Sequence, residues 1–292
     1  MWIATPHFLT FSNIVNVVQQ SSINAVIAVG MTFVILTTGI DLSVGSLLAL
    51  SGVLLAAILH QECSMLLAIP AALGIGSLCG VINGVLISWG NLPPFIVTLG
   101  MMSAARGAAL VFTQGRPISG FDESFRALAT DSTFHIPNPV ILMLLLYALA
   151  YLVLQHTRFG RHTYAIGSNE EATLLSGVPV KVVKTLVYAL SGLTSALAAV
   201  LLTARLNSAQ PTAGYMYELD AIAAVVIGGT SLKGGEGTIL GTLIGALIIG
   251  VLRNGLNLLE VSAYTQNIVI GSVIVISALL DSCLKSPSGR RG

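Results

Sequence analysis

The sequence predicts an all-α, polytopic membrane protein, and three observations carry that prediction. Of its 292 residues 54% are hydrophobic and only 9% charged, where soluble domains carry roughly 25% charged residues; the mean hydropathy is +0.89. Nine apolar runs follow one another along the chain, most of them near the roughly 20 residues that a helix needs to cross a bilayer. Two Gly-rich stretches of similar design then interrupt the pattern, Gly39-Ile40-Asp41-Leu42-Ser43-Val44-Gly45 early and Gly229-Thr230-Ser231-Leu232-Lys233-Gly234-Gly235 late, each followed by an apolar run rich in small residues. Interrupted helices at corresponding places in two halves point to a transport path, so the chain is expected to consist of two pseudo-repeated halves with broken helices.

The elements follow in order. Met1 to Pro6 lack the basic segment and apolar core of a signal peptide. Leu9 to Ser22, with Asn13, Asn16, Gln19 and Gln20, suit an interfacial helix better than a span. The runs are expected at 23–38, 44–60, 65–89, 93–113, 138–155, 185–204, 218–232, 237–254 and 264–281. The first, second and seventh are short, as broken or tilted helices beside the glycine stretches would be. Small residues recur at every fourth position, Gly76, Gly80 and Gly84 in one run and Gly237, Gly241 and Gly245 in another. On a helix these form a flat stripe for close packing, inside the bundle or between subunits. Asn83, Asn254 and Asn257 suit hydrogen bonds between helices, and Tyr215, Tyr217 and Tyr264 suit interfacial anchors or, less simply, a surface for a sugar ring.

Orientation follows from Lys and Arg. Arg158, Arg161, Lys181 and Lys184 lie between His156 and Thr185, and Lys285, Arg290 and Arg291 lie in the tail, seven of the thirteen basic residues. Both segments are expected in the cytoplasm, with four spans between them. Counting back places the N-terminus, His60 to Ser64 and the loop 114–137 outside; that loop's Asp122, Glu123 and Asp131 outnumber its Arg116 and Arg126.

Catalysis within the polypeptide is not expected. The sequence holds no Gly-x4-Gly-Lys-Ser/Thr loop to cradle ATP phosphates, no His-Glu-x-x-His and no Gly-x-Ser-x-Gly. Cys63, Cys79 and Cys283 have neither metal-ligand nor redox spacing. No catalytic residue, metal site or cofactor is therefore assigned to this chain.

The most informative hydrophilic piece is residues 156–184. Ser168 or Asn169 can cap a helix whose first turn holds Glu170 and Glu171, where the helix dipole favours acids. Gly177 and Pro179 end it. Such a helix, about two turns long, is unstable alone and needs something to dock into. Asp41, the first charged residue, has two compatible readings. Its carboxylate faces a transport path, or it caps the helix that starts at Leu42 or Ser43. Glu218 and Asp220 enter the seventh run, and Asp220 can pair with Arg205 or Arg253. Arg106 lies within an apolar run and either snorkels or meets an acid.

These residues carry a resemblance to a known family. Glu171-Ala172 followed by Gly177 resembles a shortened form of the Glu-Ala-Ala loop of bacterial ABC importer permeases. Gly30-Met31-Thr32 through Gly52, Arg205 to Pro211, Glu218 to Val225 and Asn254 to Leu259 resemble the monosaccharide permeases of that superfamily over essentially the whole chain. Gly-Ile-Asp-Leu-Ser-Val-Gly marks that group, and branched-chain amino-acid permeases, which lack it, are more distant. The resemblance implies one transmembrane permease domain over 1–292 in a bacterial inner membrane, its C-terminus cytoplasmic. It implies a second permease copy in a homodimer, an ATP-binding subunit below and a periplasmic sugar-binding protein above, and no nucleic acid. The implied cargo is a pentose, D-ribose first, with galactose, xylose or an autoinducer-2-type furanose as alternatives; an ATP-independent secondary transporter is the rival class. Asn169, Glu170, Glu171, Ala172 and Gly177 then become the expected coupling site. Gly39, Asp41, Ser43, Gly45, Asp220, Gly229, Ser231 and Gly235 become the expected path or hinge. Family members have about ten spans and a cytoplasmic N-terminus, so the start of this sequence reads as shortened or misassigned.

Overall fold

The computed structural model describes residues 8–284; Met1 to Pro6 and the tail basic residues Lys285, Arg290 and Arg291 lie outside them. Twelve helices are described, and nine of them are the apolar ones that the sequence predicts: α1 (Phe11–Leu36), α2 (Val44–Leu59), α3 (Met65–Ser88), α4 (Pro94–Thr113), α6 (Asn138–His156), α9 (Val180–Leu206), α10 (Tyr217–Ile227), α11 (Ile239–Leu258) and α12 (Ala263–Leu284). Six of these, α1, α3, α4, α6, α9 and α11, are long and apolar enough to cross a membrane. The remaining helices, α5 (Glu123–Thr130), α7 (Arg158–Ser168) and α8 (Glu170–Leu175), lie in the hydrophilic connections.

One element differs from the sequence reading at its start. The interfacial helix expected over Leu9 to Ser22 is continuous with the first span, and α1 runs unbroken for 26 residues. Two of its polar residues, Asn13 and Gln19, find partners within the chain, while Asn16 and Gln20 stay exposed. Asn13 and Asn254 exchange side-chain hydrogen bonds of 3.0 Å in both directions, and Gln19 donates to the Ala129 carbonyl at 3.1 Å. Thr10 caps the helix, accepting from the Asn13 amide.

α1 and α9 form the centre. Their most apolar stretches are 78% and 67% buried, against 22% for α4, so the outer helices turn most of their surface away from the chain's own core. α9 packs on α1, α2 and α3, and α1 packs on α6, α10 and α11. The stripe of α3 is what lets α9 approach. A Cβ at Gly80 would overlap the Tyr188 carbonyl, and one at Gly84 would stand 2.6 Å from Thr185 Cα. Gly241 and Gly245 do the same for α10, meeting Gly228 and Ala224. Both stripes are used inside this chain. Gly237 falls outside its expected stripe, because α11 starts only at Ile239 and Gly237 sits in the preceding turn at φ +155°.

The two faces of the bundle are distinct. On one, α5, a short antiparallel pair (β1, Ile118–Ser119, with β4, Ser208–Ala209) and the His60–Phe121–Phe125 aromatic cluster cover the ends of α2 and α9. A hairpin of β2 (Ser132–Thr133) and β3 (Ile136–Pro137) lies beside them. On the other face, α7 and α8 lie between α6 and α9. α7 has an inner face of Gly160, Thr163, Ile166 and Gly167, and Phe159 stacks on Phe33 of α1 at 5.9 Å.

Candidate translocation and coupling sites

The first break begins where α1 ends. Thr38 is left-handed at φ +63°, and the chain then passes through Gly39 to Ser43 before α2 begins at Val44. Asp41 is fully buried. Its Oδ1 accepts from the Ser43 amide at 2.9 Å and the Ser43 hydroxyl at 2.6 Å, and its Oδ2 from the Ser191 hydroxyl at 2.7 Å. Asn83 of α3 donates to Ser43 Oγ at 3.1 Å. The N-cap residue is Ser43, two positions after Asp41. The carboxylate therefore closes a local turn onto the Ser43 amide and ties α9 to it through Ser191, an arrangement close to the expected cap but displaced from it.

The second break follows α10. Gly229, Gly234 and Gly235 all have positive φ, between +72° and +85°, a region open to glycine at little cost. Ser231, which occupies the place of Asp41, makes the corresponding turn: its hydroxyl accepts from the Lys233 amide, two residues on, at 3.3 Å.

The structure brings this second break against the end of α1 and against α7. The Gly235 amide donates to the Leu36 carbonyl at 3.0 Å, and Tyr164 of α7 donates to the Gly237 carbonyl at 2.9 Å. A Cβ at Gly167 would overlap both the Leu36 carbonyl and the Gly235 amide. Burial pushes the Tyr164 phenol above its ordinary pKa, keeping it a donor. α1, α7 and the second break thus form one joint. Sequence reasoning missed α7 and its residues Tyr164 and Gly167. The signal available was Gly160 and Gly167, seven apart and on one helical face.

α8 continues from this joint. Asn169 caps it, its Oδ1 accepting from the Ala172 amide at 2.9 Å, and Gly177 follows it at φ +80°. Glu170 reaches Lys184 at 2.9 Å. Glu171 and Ala172 are exposed, as are Leu174 and Leu175, at 58% and 82%. The short helix offers an acid and two leucines outward.

Asp220 lies elsewhere, at the start of α10. Arg253 of α11 holds both its oxygens at 2.7 and 2.8 Å, and Asn24 of α1 donates to it at 3.1 Å. Of the two expected partners, Arg253 is the one that pairs. Arg106 meets carbonyls: its Nη1 donates to Pro211 at 2.8 Å and to Ala213 at 2.6 Å. The expected site residues are therefore in three places. Gly39, Asp41 and Ser43 are in the buried first break with Gly45 in the first turn of α2 after it, Gly229, Ser231 and Gly235 in the joint beneath α7 and α8, and Asp220 in the α10–α11 pair.

The family model for the branched-chain amino acid transport system permease component matches residues 13–278. The chain belongs to that family. Within it, this permease is 52% identical to the ribose import permease protein RbsC of Escherichia coli (strain K12) over 282 residues, 95% of this chain and 88% of that protein. It is 54% identical to the protein of the same name from Bacillus subtilis (strain 168) over 281 residues, covering 96% and 87%. The D-allose transport system permease protein AlsC of E. coli (strain K12) is 41% identical over 278 residues, covering 94% and 85%. No solved structure matches this permease.

Proposed function

We propose that this chain is the membrane-spanning permease subunit of an ATP-driven importer that moves D-ribose across a bacterial inner membrane. The observation that carries the reading is identity above one half to ribose import permeases over 95% of the chain or more. Allose and arabinose permeases match at 41% and 39%, so another monosaccharide is the second reading.

The face with α7 and α8 is read as cytoplasmic, which the basic residues Arg158, Arg161, Lys181 and Lys184 on it support. The C-terminus falls on the same side, and the face with α5 looks outward to a periplasmic sugar-binding protein. A second copy completes the pore, and a separate ATP-binding subunit docks on α8. Exposed Glu171, Leu174 and Leu175 support that docking, because an outward apolar pair on a six-residue helix is otherwise unfavourable. Closure of the ATP-binding subunits pushes α8 and α7, and the Gly167–Gly235–Leu36 joint passes the push to both breaks.

Co-purification in mild detergent followed by mass spectrometry tests the reading. An ATP-binding subunit and a ribose-binding protein are expected with the chain. A lone chain whose uptake ignores ATP refutes it. Glu171→Arg is expected to reduce uptake and its coupling to ATP hydrolysis while membrane insertion is kept; normal uptake by that variant removes α8 as the docking helix.

A further inference from the structure

Two helices of this permease begin within the membrane. α10 has 11 residues, about 16 Å, roughly half of a hydrocarbon core. It ends at the joint beneath α7, so its first residue lies near the midplane. α2 begins beside it: a Cβ at Gly45 would overlap the Gly214 carbonyl and stand 2.8 Å from Glu218 Oε2. Neither helix N-terminus carries a side-chain cap. The irregular segment before α10, from Gln210 to Met216, therefore descends to membrane depth, where such backbone persists only if buried in protein or lining a polar cavity.

A cavity of about 710 Å³ opens at this place, between α4, the start of α2 and the segment that leads into α10. Ser46, Ser103, Arg106, Thr212, Tyr215 and Glu218 supply its polar lining. Ser46 is only 2% exposed and stands on the wall of this cavity at the first turn of α2. Arg106 is held by the Pro211 and Ala213 carbonyls through Nη1 alone, so its guanidinium is fixed in orientation with its other nitrogens still able to donate. Tyr215 is 74% exposed although it stands at this cavity, leaving a ring face open.

We propose that this cavity is a mid-membrane contact site for the transported sugar, in which Glu218, Arg106 and Ser46 meet its hydroxyls and Tyr215 its C–H face. The proposal rests on the importer reading above and assigns that function a place. A neutral polyol gains little from a single charge, but adjacent hydroxyls both donate and accept. The Glu218 carboxylate from α10 and the Arg106 guanidinium from α4 satisfy both roles in one cavity and leave it without net charge. Most of the lining is partly open, which suits brief contact: a sugar released by a binding protein must be held weakly enough to leave.

The test uses the complete transporter, with its ATP-binding subunit and binding protein, in vesicles supplied with ribose and ATP. G107W fills open space, since nothing lies within 4 Å of a Cβ at Gly107. It is expected to lower ribose uptake about tenfold or more. E218Q should slow maximal uptake about tenfold, the size of one charge-assisted hydrogen bond, and Y215A about fivefold, the size of one ring contact. In a C63S background, the S103C thiol should react with a charged thiol reagent, and millimolar ribose should slow that reaction where equimolar glycerol does not. Normal uptake by G107W overturns the proposal. So does S103C labelling that ignores ribose, a readout that holds even if the bulkier variant fails to assemble. Wild-type vesicles that take up no ribose with ATP defeat the importer reading itself, whatever the variants do.

Discussion

The two Gly-rich breaks share a sequence pattern and a local turn but not an environment. In both, a side-chain oxygen accepts from the amide two residues on, Asp41 from Ser43 and Ser231 from Lys233. Around Asp41 every neighbour is internal: Ser43 and Ser191 donate to one fully buried carboxylate, and Asn83 donates in turn to the Ser43 hydroxyl. Ser231 is also buried, but the turn around it reaches the surface at Gly229, Leu232 and Lys233, and its tertiary bonds run through backbone groups to Leu36 and Tyr164. A charge is needed only where water is excluded and several hydroxyls must be given an acceptor. The first break is built as a fixed post. The second is built from positive-φ glycines against a helix that faces outward, which suits a part that transmits motion.

The largest expected effect separates the two at their matched positions. Asp41→Ala leaves two hydroxyls and an amide without their acceptor in the interior and should cost about 3 kcal/mol or more. Ser231→Ala frees one amide, that of the exposed Lys233, through a long bond of 3.3 Å, and should cost about 1 kcal/mol or less. Thermal unfolding of the purified protein in detergent measures both, and equal losses would erase the distinction. Next is Gly235→Ala, which forces a Cβ to 2.8 Å from the Ser168 amide at φ +72°. About 2 kcal/mol and most of the transport activity should be lost, against about 1 kcal/mol for Gly229→Ala, where only the left-handed backbone is strained. Uptake assays at matched expression check whether the joint, and not glycine content as such, is what matters.

Smaller still, Tyr164→Phe removes the donor to Gly237 and should cost about 1 kcal/mol, with uptake falling more than unfolding temperature if α7 transmits motion through that bond. Lys184→Ala breaks a bridge to the half-exposed Glu170 and should change stability by under about 1 kcal/mol. A larger loss would show α8 to be held by its own chain and not by a partner.

Much of this could be read from residues near one another. The nine apolar runs are legible because hydrocarbon tolerates few other compositions, and Asn169, Gly177 and the short helix between them are legible because capping acts over three or four residues. The same locality explains Asp41, whose turn to Ser43 was within reach of a cap argument although its bond to Ser191, 150 positions away, was not. α1 shows where local reading fails. Asn13 and Gln19 look interfacial until their partners are known, and Asn254 and Ala129 are 241 and 110 residues distant.

The sequence by itself determined the class of molecule, the number of apolar helices and the places where two of them break, because desolvation and backbone freedom act on short stretches of chain. Only the tertiary structure decided what each break does. It placed Gly235 against Leu36 and Gly167, chose Arg253 over Arg205 for Asp220, and opened a cavity between Arg106, Tyr215 and Glu218. Each of these depends on which helices pack side by side, and close packing brings together residues that no local pattern connects.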